Sequence, residues 1–370
     1  MSDEQNAVDL ATVTGSEETG MTRRSLLRGL GSMYVGAAAL GGLVAGRKTA
    51  WAQDVPKAPS TGKKVRVGMP LNYGPFNQPW RRGCAAIART VEARGGEFVT
   101  VRGEPSKQSE QQGQLQLLDQ NIDVLILGVL QTESETAFIV DQAQQRGIKT
   151  VGFQVTAKNS PAIVEDSFTA GVQMAYLVQN ELSRQGAVVQ TAEDRGFFAG
   201  FDKSVDTVEL MTKYEPRMKC LPFMPGSVST SDQMAKGREN TLSLLQANPD
   251  PASVQAIIAW WWPLAVGAAQ ALRTAPDRDI MLACYYFSDQ LLSEMASPGS
   301  KIKIAMDSPW RVSGEKVVDL AMLLGRGEKV ENIVYYTETE TIRPPQAAAT
   351  REKLLAEDKA AIELLAKYGG

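Results

Sequence analysis

Short apolar runs alternate along this chain with longer stretches of helical periodicity, and the alternation starts afresh half-way along. Residues 65–69, 97–102, 124–128 and 150–154 read as strands, separated by helices over 80–94, 107–120 and 133–146. Strand–helix–strand units with connections of a few residues require right-handed crossovers and a parallel sheet. After a long helix over 168–184 the rhythm resumes. Strands are expected at 196–201, 218–224, 254–259, 280–284 and 302–306, with helices over 205–214, 232–247, 263–274 and 288–295. A helix over 310–325 and a strand over 332–336 follow. Residues 347–370 form a last amphipathic helix, with Leu354, Leu355, Ile362 and Leu365 on one face and a lobe to pack on. The fold class is therefore α/β, with two doubly wound parallel-sheet lobes.

The first 52 residues stand apart. Thr22-Arg23-Arg24-Ser25-Leu26-Leu27-Arg28 resembles a twin-arginine export motif, and a weakly apolar run with six glycines follows from Gly29 to Gly46. Arg47 and Lys48 come next, then Ala50-Trp51-Ala52, a small-x-small pattern of the kind a signal peptidase cuts after. A run so rich in glycine makes a poor permanent span. The reading is a cleaved twin-arginine signal peptide over 1–52, delivering the protein to the periplasm, then a polar linker over 53–62.

Composition removes several kinds of chemistry. The chain has no histidine, so Ser-His and Cys-His catalysis and the commonest transition-metal ligand are excluded. Cys84, Cys220 and Cys284 are far apart and odd in number, which gives neither a zinc pattern nor a disulfide framework, though an isolated pair stays open. The formal charge of -3 offers no nucleic-acid surface. There is no Gly-x-Ser-x-Gly elbow, no Gly-x-Gly-x-x-Gly after a strand and no calcium-loop spacing. The expectation is a protein without catalytic residues, metal or cofactor.

Several stretches, in order, resemble the type 1 periplasmic binding proteins, the ribose/galactose-binding class related to the LacI repressor core. Asn72-Tyr73-Gly74-Pro75-Phe76 is similar to the family's first stacking loop. Gln120-Asn121-Ile122-Asp123-Val124-Leu125-Ile126-Leu127-Gly128 and Gln145-Arg146-Gly147-Ile148-Lys149-Thr150-Val151 resemble its helix-into-strand steps. Asp166-Ser167 resembles the first interlobe crossing, and Val254 to Ala259 followed by Ala265-Val266-Gly267-Ala268 the second lobe's ligand-bearing unit.

The resemblance implies three hinge crossings, near Asp166, Ser308 and Thr339. The lobes would then be 63–165 plus 308–338 and 166–307 plus 339–346, with 347–370 as the terminal helix. It also implies the substrate-binding component of an ABC transporter, a monomer that captures a sugar, polyol or similar small neutral solute and docks on an inner-membrane permease. Two alternatives stay open: a receptor for a cationic or aromatic small molecule, and a sensory receptor feeding a membrane kinase or chemoreceptor.

Ligands of open α/β lobes sit beyond the carboxyl ends of the strands. Read that way, the cleft residues are Tyr73, Phe76, Asn77, Trp80, Gln131, Gln154, Trp261, Tyr286, Asp307 and Trp310, with Ser308 beside them. Trp260 and Trp262 fit core packing as well as ligand contact. Where sugar-binding relatives place Asp-Arg, this chain has Gln154-Val155; where they place Asn-Asp it has Trp261-Trp262; and Tyr286 stands for an Asp. Their second-lobe arginine falls near Val208, with Lys203 or Glu209 as substitutes. Fewer charge-assisted bonds to hydroxyls are then available, so the expected ligand is less hydroxylated than a pentose or hexose. Asp307 has three readings: a hinge hydrogen bond to backbone, a cation box with Trp261, Tyr286 and Trp310, or hydroxyl binding.

Overall fold

The computed structural model describes residues 54–74, 77–226, 232–331 and 333–369. The export segment read over 1–52 and the candidate Phe76 lie outside the described residues. In chain order the first elements are β1 (Arg66–Gly68), α1 (Gln78–Ala93), β2 (Glu97–Val99), α2 (Lys107–Leu118), β3 (Val124–Leu127), α3 (Glu133–Gln145), β4 (Lys149–Phe153) and β5 (Ala162–Glu165). Next come α4 (Ser167–Glu181), β6 (Gly186–Ala192), α5 (Ala199–Lys213), β7 (Met218–Cys220), β8 (Met224–Pro225) and α6 (Gln233–Ala247). They are followed by β9 (Ala256–Ala259), α7 (Trp262–Leu272), β10 (Met281–Tyr285), α8 (Asp289–Ala296) and β11 (Ile302–Asp307). The chain ends with α9 (Trp310–Gly325), β12 (Val334–Thr337), β13 (Glu340–Ile342) and α10 (Pro344–Leu365).

All four residues of β3 are buried, which an apolar strand achieves only when covered on both faces. Its side chains alternate: Val124 and Ile126 join one apolar cluster, Leu125 and Leu127 another. The first sheet has the order β12-β5-β4-β3-β1-β2, with every neighbouring pair parallel. The second runs β13-β11-β10-β9-β6-β7, with β8 also against β6, and is parallel except for β13, which pairs antiparallel with β11. The architecture is two parallel-dominated sheets with helices around them.

The chain passes between the sheets where β5 gives way to α4, where β11 gives way to α9, and where β12 gives way to β13. Side chains tie these passages together: Ser308 and Thr337 hydroxyls lie 3.4 Å apart, and Ser313 donates to Thr337 at 3.3 Å. Arg82 of α1 reaches the same region, 3.9 Å from the Asp307 carboxylate and 3.4 Å from Asp358 of α10.

Three expectations need correction. The second-lobe strand expected at 196–201 is β6, Gly186–Ala192; Gly196 turns at φ 82°, Phe198 precedes the first turn of α5, and the aromatic cluster there is loop and helix start. Ala187-Val188-Val189 carries the β-branched character that a buried strand needs. The terminal helix begins earlier, at Pro344, whose missing N–H suits a first turn. It also packs on both lobes rather than one, against α1 and against α8, with Arg351 2.6 Å from Asp289 and Tyr368 2.5 Å from Glu92. Finally, part of the polar stretch read as a linker is pinned to the first lobe: Ala58 is buried, its N–H donates to Asp319, and Arg326 donates to Pro59 O at 2.7 Å. The three cysteines are free.

Candidate functional site

The sequence Trp260-Trp261-Trp262 leaves β9 with the two-residue alternation of a strand. Trp260 and Trp262 are wholly buried, and Trp260 Nε1 donates to Gln190 at 2.9 Å; both are core. Trp261 caps the start of α7 and points the other way, into the cleft. Its indole N–H donates to Gln233 Oε1 at 2.6 Å, and Gln233 Nε2 donates to Glu193 Oε1 at 3.0 Å.

One strand along, Tyr286 follows β10 with φ of 72°, a left-handed conformation that is a genuine outlier for a bulky residue. Its hydroxyl donates to Glu165 Oε2 at 2.5 Å. Gln154, just past β4, is left-handed as well, at φ 61°, and its Oε1 accepts the Glu165 N–H at 2.7 Å. Two strained residues from opposite lobes thus converge on one glutamate.

Trp80 and Trp310 come from α1 and α9, which approach closely enough that a Cβ on Gly314 would stand 2.7 Å from Gly83 O. That contact brings both indoles to the mouth of the first sheet. Tyr286 stands at the centre of a ring cluster: 5.3 Å from Trp261, 5.9 Å from Trp310 and 5.9 Å from Phe201, each in edge-to-face geometry.

These rings wall a cavity of about 60 Å³, partly open to solvent, together with Asn77, Val129, Leu130, Glu193, Phe197 and Phe198. A second, more polar space of about 230 Å³ adjoins it, sharing Val129, Phe197 and Phe198 and lined by Gln131, Gln154, Glu165, Ser167 and Lys203. Burial pushes the Glu165 carboxyl up to about 7, against the Tyr286 and Ser167 hydroxyls and the Lys203 charge, which favour its ionised form. Glu193 is pushed up to about 8 by burial, opposed by the Gln233 bond. Several buried polar atoms of wall residues have no hydrogen-bond partner among the described residues: Trp80 Nε1, Trp310 Nε1, Gln154 Nε2 and Gln131 Oε1. Groups of this kind are paid for only when a ligand or water satisfies them.

Of the residues the sequence suggested, Asn77, Trp80, Trp261, Tyr286 and Trp310 line the ring-walled cavity, and Gln131 and Gln154 line the adjoining space. Gln131 is held by donating to Gln114 at 2.9 Å and to Glu110 at 3.3 Å. Tyr73 lines neither space; it is half-buried, with the Arg102 guanidinium 4.6 Å above its ring. Asp307 is absent from both linings too. It accepts the Phe287 N–H at 3.3 Å and faces Arg82, which is the hinge reading, so it forms no box with Trp261, Tyr286 and Trp310.

Val208 is buried in α5, Glu209 lies 3.9 Å from Arg195, and Lys203 reaches the polar space. Sequence reasoning missed Glu165, Glu193, Phe197, Phe198 and Phe201. Glu193 stands directly after β6, so the strand-end rule would have found it had that strand been placed correctly. Among the described residues no group of three or more potential ligands could hold a metal, and no helix is long and apolar enough to cross a membrane.

A family model described as a periplasmic binding protein domain matches residues 66–329. No curated protein sequence matches the chain. Among solved structures, an Agrobacterium vitis ABC transporter solute-binding protein with bound allitol is 20% identical, with 79% of this chain and 99% of that one covered and a TM-score of 0.68. A Thermotoga lettingae 5-methylthioribose transporter solute-binding protein, in complex with 5-methylthioribose, is 18% identical over 86% of this chain and 93% of that one, with a TM-score of 0.67. The binding protein of the arabinose ABC transporter from Shewanella sp. ANA-3, bound to L-arabinofuranose, is 17% identical over 80% and 98%, with a TM-score of 0.68. At these identities the likeness is one of fold.

Proposed function

Because the chain belongs to the periplasmic binding protein domain family, we propose that it is the substrate-binding component of an ABC transporter, catching a sugar, polyol or similar small solute between its lobes. The observation that carries the reading is the ring-walled cavity itself. Both lobes contribute its walls, and Trp310 in its lining has a buried Nε1 without a hydrogen-bond partner among the described residues. Aromatic faces suit the C–H faces of a carbohydrate, and the free donor suits an oxygen. The relatives' ligands are of this kind, from allitol to 5-methylthioribose.

A wall of rings with few polar groups favours a solute with fewer hydroxyls than a hexose. Residues 63–165 with 308–338 serve as one jaw and 166–307 with 339–346 as the other. Closure about three short crossings is the expected working motion, the closed form docking on a permease. On this reading the protein acts as a monomer in the periplasm, exported by the twin-arginine route, and performs no catalysis.

The test is a thermal-shift screen against sugars, polyols and their deoxy or thio derivatives. A ligand at 100 times its dissociation constant adds about 2.7 kcal/mol of stability, which moves the melting point by roughly 2–4 °C for a protein of this size. A screen in which no such solute shifts the melt at millimolar concentration overturns the proposal.

A further inference from the structure

We infer that the solute carries a cationic nitrogen, seated against Glu193 among the rings: a sugar or polyol bearing one amine. The inference rests on the cavity being the solute site and asks what its walls select. Among the described residues Glu193 is the one carboxyl in the lining of that cavity, and no lysine or arginine lines it. The groups that bear on its ionisation are its burial, Gln233 and Asp194, none of them a cation. A buried carboxyl without a counter-charge is costly in its ionised form. An ammonium group offsets that cost, whereas a neutral hydroxyl does so only in part.

The carboxyl is also held for the purpose. Gln233 donates to Oε1 at 3.0 Å while its own carbonyl accepts from Trp261, so the acid, the amide and the indole form one fixed unit. Among the described residues no donor bonds Oε2, which makes it the oxygen open to a ligand. Trp261, Phe201, Phe198 and Tyr286 line the same cavity, and aromatic rings attract a cation that reaches their faces.

An independent observation concerns the rest of the molecule. Trp310 lines the same cavity and Gln154 the adjoining space, their buried Nε1 and Nε2 are donors without partners among the described residues, and donors call for oxygens. One end of the ligand is therefore an acceptor-rich hydroxylated part and the other a positive nitrogen.

The alternative is that Glu193 stays protonated and donates to a neutral hydroxyl. The two cases differ in proton balance. In the free protein burial holds Glu193 at about 8, so near pH 7 it carries its proton. Seating an ammonium beside it requires the carboxylate, and about one proton leaves the protein on binding. Affinity then rises with pH from about 6 to 8, by roughly tenfold per unit at most. A neutral solute produces neither effect.

The experiment is calorimetry on the full chain with matched probes of fewer hydroxyls than a hexose: erythritol against 1-amino-1-deoxyerythritol, and glycerol against 3-amino-1,2-propanediol, each in phosphate and in Tris. The expected result is that an amine binds at least about tenfold tighter than its neutral mate, with a proton release that makes the enthalpy depend on the buffer. In Glu193→Gln the preference and the proton release both disappear, while a melt followed by circular dichroism shows the variant still folded. Equal or better binding of the neutral member without proton release overturns the inference and leaves the solute-capture reading standing. Binding of neither member of either pair overturns both for this class of ligand.

Discussion

The two walls of the cleft are built to different rules. The first lobe presents amides and indoles, and among the described residues its buried cleft atoms without a hydrogen-bond partner are Trp80 Nε1, Gln131 Oε1, Gln154 Nε2 and Trp310 Nε1. The second lobe presents five rings, Phe197, Phe198, Phe201, Trp261 and Tyr286, and most of the polar groups among them are tied to one another, Glu193 Oε2 excepted. Trp261 is bonded to Gln233, Gln233 to Glu193, and Tyr286 reaches across to Glu165. One wall is a set of open hydrogen-bonding valences and the other a preassembled apolar face. Preorganisation lowers the ordering cost of binding, so the second wall supplies affinity for shape and the first reads where the oxygens are.

The comparison breaks most visibly at Trp261. Trp261→Ala removes a ring that is 8% exposed and releases Gln233, so the expected loss is about 3–5 kcal/mol of stability together with at least about tenfold in affinity. Urea melts and calorimetry measure the two separately. A stability loss with affinity intact would make the second wall packing alone.

On the opposite wall Gln154→Asn keeps a residue that tolerates the left-handed backbone but withdraws the amide by one methylene. Stability should stay within about 1 kcal/mol while hydroxylated solutes bind about five- to tenfold more weakly. An unchanged dissociation constant would show that the first wall reads nothing at that point.

Acidity sharpens the contrast in a third way. Glu110 and Glu165 in the first lobe and Glu193 in the second are raised by burial to about 8, 7 and 8. The folded protein therefore holds protons that the unfolded chain releases from about pH 4 upward. The stability they contribute is full below that point and drains away as pH rises through the folded values. The ligand-free protein should melt lower at pH 8 than at pH 5, and Glu193→Gln should flatten part of the slope. A melting point that rises over this range would contradict the burial of these groups.

The smallest effect is reserved for Tyr73, which stacks under Arg102 outside both cavities. Tyr73→Ala should leave affinity within about twofold in the same calorimetry. A larger loss would extend the first wall to the loop that carries it.

Much of this was legible in the residues because strand ends are fixed by apolar runs. Val124 to Leu127 and Ala256 to Ala259 are unmistakable, and the rule that ligands lie beyond them led to Gln131 and Trp261. Where a run was misplaced, the site was lost with it. Gly196-Phe197-Phe198-Ala199-Gly200-Phe201 has the aromatic content of a strand, but Gly196 and Gly200 sit where the chain turns and starts a helix, so Glu193 escaped notice. Asp307 shows the converse. It follows the rule for cleft residues, yet its destination was settled by Arg82, more than two hundred positions away in sequence. No periodicity encodes such a partnership. The two-lobe grip of α10 was hidden for the same reason, since an amphipathic stripe reports that a helix is covered without naming what covers it.

The indoles have one more consequence. Trp80, Trp261 and Trp310 line the cleft, while Trp260 and Trp262 are core, so three of the five described tryptophans belong to this region. Part of the ultraviolet emission of the protein is then a signal from its own cleft. A solute that displaces water from Trp310 or changes the distance between Trp261 and Tyr286 will alter its colour and yield, and the molecule needs no attached dye to report that it is occupied.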